Sequence, residues 1–563
     1  MKIFPKLWGW FFAIVFLFLV VATINPNPFG NNPDSIGDES YFLTSSLSAI
    51  QKFTLPGWEF SGSGNYYGGV QTYIDTIVLV PVIGILFLFH GFSLFQTQLT
   101  VALHTGELLA GLRFVNSLLV VLCLASFFYI FKKRKIPRWL AIEFLFLVLL
   151  LYSNSLVVGF IHTAKVWVLY LLLDVSIGII FLIQEYYLAH FNKPFIEKKK
   201  YVMLFLWAAL FSLFQNYVGV VPIVLWIVYA LVLKHITLRD IFDHLKKYWY
   251  LFIAFALLQI SFVYRAIFVK NHTGWWDPGQ VSTTTDNSVD WFHRLHDPII
   301  YAFKSQPLVL IYLFAFCVTI GFLIAKRKSV STDRKKLLLL LACVHPLIIY
   351  VFFHAILGFS LFPRYSLPLT IALSFSIVIL LAQWRYLLMV GIGASAVMCL
   401  FINIHSISLY WKTSSDVVLT ELVQKNYNNE QTLFIVDPSA WRLSLPLNPT
   451  SLQLLNARRK SMSRYQFQLE HLDAVAAQST FKAVVVMPDS PQEEATYLEQ
   501  AYKYREVWKI DTNLVCSIPE FLQGSCIVIN PQSYGKTPQE INMLKDFLSF
   551  DALGNTYIMR KIQ

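Results

Sequence analysis

A dozen apolar runs fill the first 410 residues of this 563-residue chain, at about 7–24, 76–95, 107–131, 139–157, 166–188, 201–215, 217–233, 249–269, 307–325, 337–357, 366–383 and 386–404. About 20 apolar residues cross the hydrocarbon core of a bilayer as a helix, which satisfies its own backbone there. The chain is therefore a polytopic membrane protein over most of its length. Charged residues make up only 14% against 56% hydrophobic, whereas soluble domains carry about 25% charged. Disordered proteins, secreted disulfide scaffolds and soluble nucleic-acid binders are excluded on that ground.

The net charge of +12 is unevenly placed. Residues 408–563 carry 15 Lys and Arg against 16 Asp and Glu, and the other 30 basic and 17 acidic residues lie in 1–407. Basic excess between spans sets topology; a nucleic-acid partner would need a basic patch on a soluble face. Basic clusters occupy four connections, Lys132–Arg138, Lys193–Lys200, Lys234–Lys247 and Lys326–Lys336. If all twelve runs cross, these clusters fall outside. If 76–95 does not cross, they fall inside, with 22 Lys and Arg inside against six outside (Lys52, Lys165, Lys270, Arg294, Lys304 and Arg364). The positive-inside rule selects the second arrangement. Pro81, Gly84, His90 and Gly91 interrupt that run, which suits a re-entrant or surface-lying helix.

The expected fold is thus an all-α membrane domain of about eleven spans over 1–407, followed by a small extracytoplasmic α/β domain at 408–563. The first run follows Lys2 and Lys6 and precedes no small-residue cleavage site, so it reads as an uncleaved signal anchor with its N-terminus inside. In the tail, Gln431–Asp437, Ala483–Pro488 and Cys526–Asn530 read as strands. Gln466–Gln478, Gln492–Tyr504 and Pro538–Leu548 read as helices. There is no phosphate loop or GxGxxG. Cys516 and Cys526 lie ten residues apart across an expected hairpin, where a disulfide in an oxidising compartment and two buried thiols both fit.

Chemistry-bearing residues concentrate on the outer side. The loop at 25–106 holds Asn32-Pro-Asp-Ser-Ile-Gly-Asp38-Glu39-Ser-Tyr41-Phe42. Asp38 and Glu39 open a helix whose apolar stripe (Phe42, Ala49, Phe53) is expected to lie on the membrane surface. Acids there either cap the helix or act in catalysis. Tyr66 and Tyr67, set among glycines, either approach a sugar or headgroup or belong to an interfacial turn. Arg113, Arg265 and Arg364 sit near outer ends of spans, the last beside Tyr365 in Phe362-Pro-Arg-Tyr-Ser-Leu-Pro368. Each either snorkels or binds phosphate, for which the planar guanidinium fork is suited. His162 ends the third–fourth hairpin as a site or a structural residue. Asp174 lies mid-span, where an acid is a functional candidate by default.

Taken in order, the N-terminal span, the Asp38-Glu39 loop, the Arg113-Phe-Val-Asn116 span ending in Lys132-Lys-Arg-Lys, and Phe362-Pro-Arg-Tyr-Ser-Leu-Pro-Leu resemble polytopic glycosyltransferases of the GT-C fold. The resemblance is to the family 39-like branch, similar to protein O-mannosyltransferases and aminoarabinose transferases, and covers about residues 7–410. It implies Asp38 as the catalytic residue, a polyprenyl-phosphate sugar as donor, and work on the outer face. Two tracts depart from the family pattern. Phe160-Ile-His162-Thr-Ala-Lys165 stands where many relatives carry a second acid, and Tyr66-Tyr67-Gly-Gly replaces a Pro-Pro-Leu-Tyr-Tyr tract.

The expected activity is inverting transfer of a hexosyl or pentosyl group from the lipid phosphate to an extracytoplasmic glycan, lipid or protein. Asp38 and Glu39 would be the catalytic residues, with Asp38 as general base. Arg364, Tyr365, Arg113, Arg265, Tyr66, Tyr67 and His162 would bind substrate. No cofactor is called for, and a divalent metal stays open. The bilayer and the lipid-linked donor are the expected partners, nucleic acid is not, and a bacterial inner membrane is the expected site. The alternatives are a polytopic lipid or sugar transporter or flippase, and a catalytically inactive GT-C scaffold.

Overall fold

The computed structural model describes residue 17 and residues 42–43, 45–47, 49–51, 53–55, 69–103, 105–161, 166–215, 219–260, 313–318, 320–321, 333–356, 367–410, 432–436, 483–487, 506–511, 517–529 and 557–561. Two parts stand out, a helical bundle and a five-stranded sheet. The bundle comprises α1 (Val70–Phe89), α2 (Leu94–Leu103), α3 (Thr105–Lys133), α4 (Arg138–Tyr152), α5 (Ser155–Ile161), α6 (Val166–Phe191), α7 (Lys198–Gln215), α8 (Val220–Val232), α9 (Leu238–Leu258), α10 (Asp333–Tyr350, continued by a π-helical turn Val351–Ile356), α11 (Leu367–Leu381) and α12 (Arg385–Tyr410). Among the described residues, five helical segments are long and apolar enough to cross a membrane, at Val70–Phe89, Glu107–Lys133, Val168–Phe191, Lys335–Phe353 and Arg385–Ile404. The protein is an integral membrane protein.

Three of the basic connections, Lys132–Arg138, Lys193–Lys200 and Lys234–Lys247, gather with Arg385 at one end of the bundle. Arg134, after α3, stacks over the Phe195 ring at 5.9 Å. Lys198 Nζ meets Asp240 Oδ2 at 2.6 Å, joining the starts of α7 and α9. Arg385 at the start of α12 stacks over Trp139 at the start of α4, 4.5 Å from the ring centroid. Buried groups lock this end together. His235 Nε2 lies 2.6 Å from Glu185 Oε2, and the Tyr201 hydroxyl lies 3.3 Å from His235 Nδ1. Thr237 and Asp240 form a capping box that starts α9.

Helices α1 and α2 make a hairpin that starts and finishes at the opposite end. The Gly69 N–H donates to Gln259 Oε1 at 3.1 Å and the Tyr73 hydroxyl donates to the Leu258 carbonyl, both just past or at the finish of α9. Helix α9 starts at the basic end and spans about 31 Å at 1.5 Å per residue. The hairpin then hands over to Thr105, about 43 Å along α3 from the basic end. The reversal falls at His90–Ser93, where Gly91 and Phe92 adopt φ of +59° and +65°. Pro81 stays inside α1 without breaking it.

The core of the bundle closes around α11, nearly all of whose residues are buried. It fits against α6 at Gly178, where an added Cβ would sit 2.4 Å from Phe375 Cζ. Asp174 is buried in this core and accepts hydrogen bonds from Trp226 Nε1 at 2.8 Å and the Tyr170 hydroxyl at 3.1 Å. Both of its oxygens are thus engaged by neighbouring helix residues, so the mid-span acid ties α6 to α8.

The sheet has the order β1 (Thr432–Val436), β2 (Ala483–Met487), β3 (Glu506–Asp511), β5 (Tyr557–Lys561), β4 (Cys526–Ile529). The first three strands are parallel, and β5 runs antiparallel to β3 and to β4. The three expected strands are present; the expected tail helices lie outside the described residues. The expected hairpin before Cys526 is corrected to a short helix, α13 (Ile518–Leu522), started by a Ser517–Glu520 capping box. Strand β4 pairs with β5, not with β3. Cys526 is disulfide-bonded, while Cys123, Cys317, Cys343 and Cys399 are free; Cys516 lies outside the described residues.

Candidate functional site

Four leucines define the end of the bundle away from the basic connections. Leu43, from the helical residues at 42–51, packs with Leu79 of α1 and Leu109 and Leu112 of α3 in one buried cluster. The neighbouring turns of the same three helices carry buried polar groups instead. These are Ser45 and Ser46, then Gln71, Thr72 and Asp75, then Arg113, Asn116 and Ser117. Residues three or four apart share a helix face, so the polar stripes continue directly from the leucine cluster.

Cross-links hold this arrangement. The Ser46 hydroxyl donates to the Thr72 carbonyl at 3.1 Å. Gln71 Nε2 donates to Asp75 Oδ1 at 2.7 Å. The Ser117 hydroxyl donates to the Ile161 carbonyl at 3.2 Å, which fixes α3 against the last residue of α5. Asn154 Oδ1 accepts from the Val157 N–H at 3.3 Å and so caps α5. Cys123 and Ser176 side chains lie 3.2 Å apart. Counting back ten residues on each helix puts Arg113 level with Val166, the first residue of α6.

Of the expected site residues, Arg113 is described and is 5% exposed. It is a buried cation, not a side chain snorkelling to water. Its turn faces the chain just ahead of His162, through the Ser117–Ile161 bond. Asp38, Glu39, Tyr66, Tyr67, His162, Arg265, Arg364 and Tyr365 lie outside the described residues. Phe42 and Ala49 are buried, with Phe42 in the main bundle core, so that stripe packs on protein instead of lying on the membrane surface. Phe53 leaves the stripe altogether at 97% exposed. Its φ of +52° places it in the left-handed turn that ends the helix, with Thr54 N–H donating back to Ala49.

Gln71, Asp75 and Gln259 belong to this region without having been read from the sequence as site residues. The usable signal was the i, i+4 spacing of Gln71 and Asp75 at the start of a helix that is otherwise apolar. Among the described residues, no three His, Cys, Asp or Glu side chains gather as a metal site.

No family model and no curated protein matches the chain. Among solved structures, the chain is similar in fold to the crystal structure of ArnT from Cupriavidus metallidurans bound to undecaprenyl phosphate. That likeness covers 93% of this chain and 96% of the other, at 13% identity and a TM-score of 0.48.

Proposed function

We propose that the protein is a membrane glycosyltransferase that moves a sugar from a polyprenyl phosphate to an extracytoplasmic acceptor with inversion. The observation that carries this reading is Arg113, a buried cation among buried polar groups at the end of the bundle opposite the basic connections. An intramembrane cation is costly and is kept where it meets an anion or lines a substrate path. A lipid phosphate reaching the site from the bilayer is an anion of the right kind, and the guanidinium can grip it with two parallel hydrogen bonds.

In this mechanism Asp38 takes the proton from the acceptor hydroxyl as the oxygen attacks the anomeric carbon from the face opposite the phosphate. The C–O bond to the phosphate breaks and the phosphate leaves with the bonding pair. Arg113 and Arg364 neutralise the growing charge, the main electrostatic contribution open to the protein. Partial desolvation makes a carboxylate more basic and so a better proton acceptor. Glu39 is proposed beside Asp38 as a second catalytic carboxylate, and Arg265, Tyr365, Tyr66, Tyr67 and His162 are proposed for substrate binding. The domain from 408 onward stands on the outer side, and the membrane is a bacterial inner membrane.

The test is purified protein in proteoliposomes with a labelled polyprenyl-phosphate sugar. Label appearing on an acceptor supports the enzyme. Movement of intact lipid-linked sugar across the bilayer without transfer would replace it with a flippase.

A further inference from the structure

Helix α1 is amphipathic in the inverse sense to a soluble helix. Its buried residues are Gln71, Thr72, Asp75 and Leu79, while Ile77, Val80, Ile85, Leu88 and Phe89 are exposed. In a bilayer such a helix turns its apolar face to lipid and its polar, ionisable face to a cavity or substrate path. Gln71, Asp75 and Leu79 are spaced four apart and form one stripe. That stripe runs into the leucine cluster beside Arg113.

The hydrogen-bond inventory of the stripe points to a particular ligand chemistry. Gln71 is fully buried. Its amide nitrogen is used on Asp75 Oδ1, and its Oε1 has no hydrogen-bond partner among the described residues. A buried amide oxygen left in this way is uncommon unless water or a ligand meets it. What the stripe presents is an acceptor oxygen, the Gln71 carbonyl, set beside the Asp75 carboxylate that its amide nitrogen holds. Its complement is a hydroxyl or an ammonium. The position is set in advance by three clamps, Gly69 to Gln259, Tyr73 to Leu258 and Ser46 to Thr72. Such clamping is what holds a binding group in its working geometry.

Resting on the glycosyltransferase reading above, we infer that the Gln71–Asp75 stripe is a sugar-binding wall of that site. It takes hydroxyl or amino groups of the donor sugar while Arg113 serves the phosphate. Gln71 orients the Asp75 carboxylate and offers its own oxygen as a further acceptor. Neither residue takes the proton that Asp38 takes.

The experiment uses the full chain in nanodiscs and measures affinity for two kinds of probe. One is undecaprenyl phosphate, and the other is the same lipid carrying a hexose or an aminopentose. Wild type is expected to bind at least one sugar-bearing lipid tenfold or more tightly than the bare lipid. Asp75→Asn and Gln71→Leu are expected to remove that increment, with bare-lipid affinity and melting temperature near wild type. Wild type without any preference for a sugar-bearing lipid would overturn the inference. So would variants that keep the increment, or that lose bare-lipid binding and melting temperature together, the mark of a structural pair. Gln71→Glu, which keeps an acceptor but repels Asp75, decides the case if Asp75→Asn does not fold; it too should lose the increment. Failure of the glycosyltransferase reading looks different, because a bound sugar-lipid would then give no transfer while the increment and its loss remain.

Discussion

At the basic end of the bundle, most buried polar groups complete one another, although His244 Nε2 has no hydrogen-bond partner among the described residues. Glu185, His235 and Tyr201 form one network, and Gln184 Oε1 accepts from the Phe195 and Ile196 N–H groups while its Nε2 donates to the Ile196 carbonyl. At the opposite end, Gln71 is buried with its amide oxygen lacking a described partner, and Arg113 is buried near the lipid-facing hairpin. Both ends bear the cost of burying polar groups. One end recovers it in assembly, by locking α6, α7 and the α8–α9 turn. The other leaves the Gln71 oxygen without a described partner, and proteins depart from full satisfaction most often at functional sites.

The contrast can be broken by swapping the expected consequences of mutation. Glu185→Ala removes the hydrogen-bond partner of buried His235 and should destabilise the protein by about 1–3 kcal/mol, the cost of leaving a buried polar group unsatisfied. Thermal unfolding in detergent would show it, with transfer per folded molecule unchanged. A normal melting temperature would mean that the basic end is not the structural lock. Arg113→Ala should act in the other sense, weakening binding of undecaprenyl phosphate by about 1.5–3 kcal/mol, the size of a lost charge-assisted hydrogen bond. Arg113→Lys should restore only part of that, since an ammonium lacks the planar fork. Wild-type lipid affinity in Arg113→Ala would detach this residue from the phosphate.

Between the two ends, Gly178→Ala tests the packing that joins them. The new methyl would meet the Phe375 ring at 2.4 Å, and overpacking of this kind costs about 1–3 kcal/mol. The smallest effect belongs to the sheet. Glu520 accepts hydrogen bonds from the Ser517 hydroxyl and N–H and pairs with Arg560, which lowers its carboxyl to about 2 from the ordinary 4.5. A depressed carboxyl stabilises the fold above its unfolded value and stops doing so as pH falls through the folded one. The stability that Glu520 adds should therefore decline from about pH 4.5 towards pH 2. Glu520→Gln should flatten that part of the unfolding-versus-pH curve, and an unchanged curve would contradict the pairing.

The bundle was legible because a span announces itself by length and composition, whatever it packs against. The basic clusters were equally legible, and Arg134, Lys198 and Arg385 do meet their neighbours at one end. Strands β3 and β5 were not read, because Glu506, Lys509, Arg560 and Lys561 interrupt their apolar pattern. Lys509 is nonetheless buried, and Arg560 pairs with Glu520 from outside its own strand. Phe53 was misplaced because periodicity does not show where a helix ends, and a left-handed turn ended this one. Arg113 was legible as a charge in an apolar run. Gln71 and Asp75 read as loop, since only the docking of α1 against α3 and α9 shows that they face inward.

The central claim is that a carboxylate in the first outer loop takes a proton during sugar transfer, and Asp38→Asn in the purified protein tests it most directly. Asparagine caps a helix as well as aspartate does, so expression, melting and lipid binding should stay near wild type. With a labelled polyprenyl-phosphate sugar as donor, the transfer rate should fall by roughly 10²–10⁴-fold, the usual contribution of a general base, while Glu39→Gln falls far less. Transfer by Asp38→Asn at most of the wild-type rate would contradict the mechanism and leave Asp38 as a helix cap.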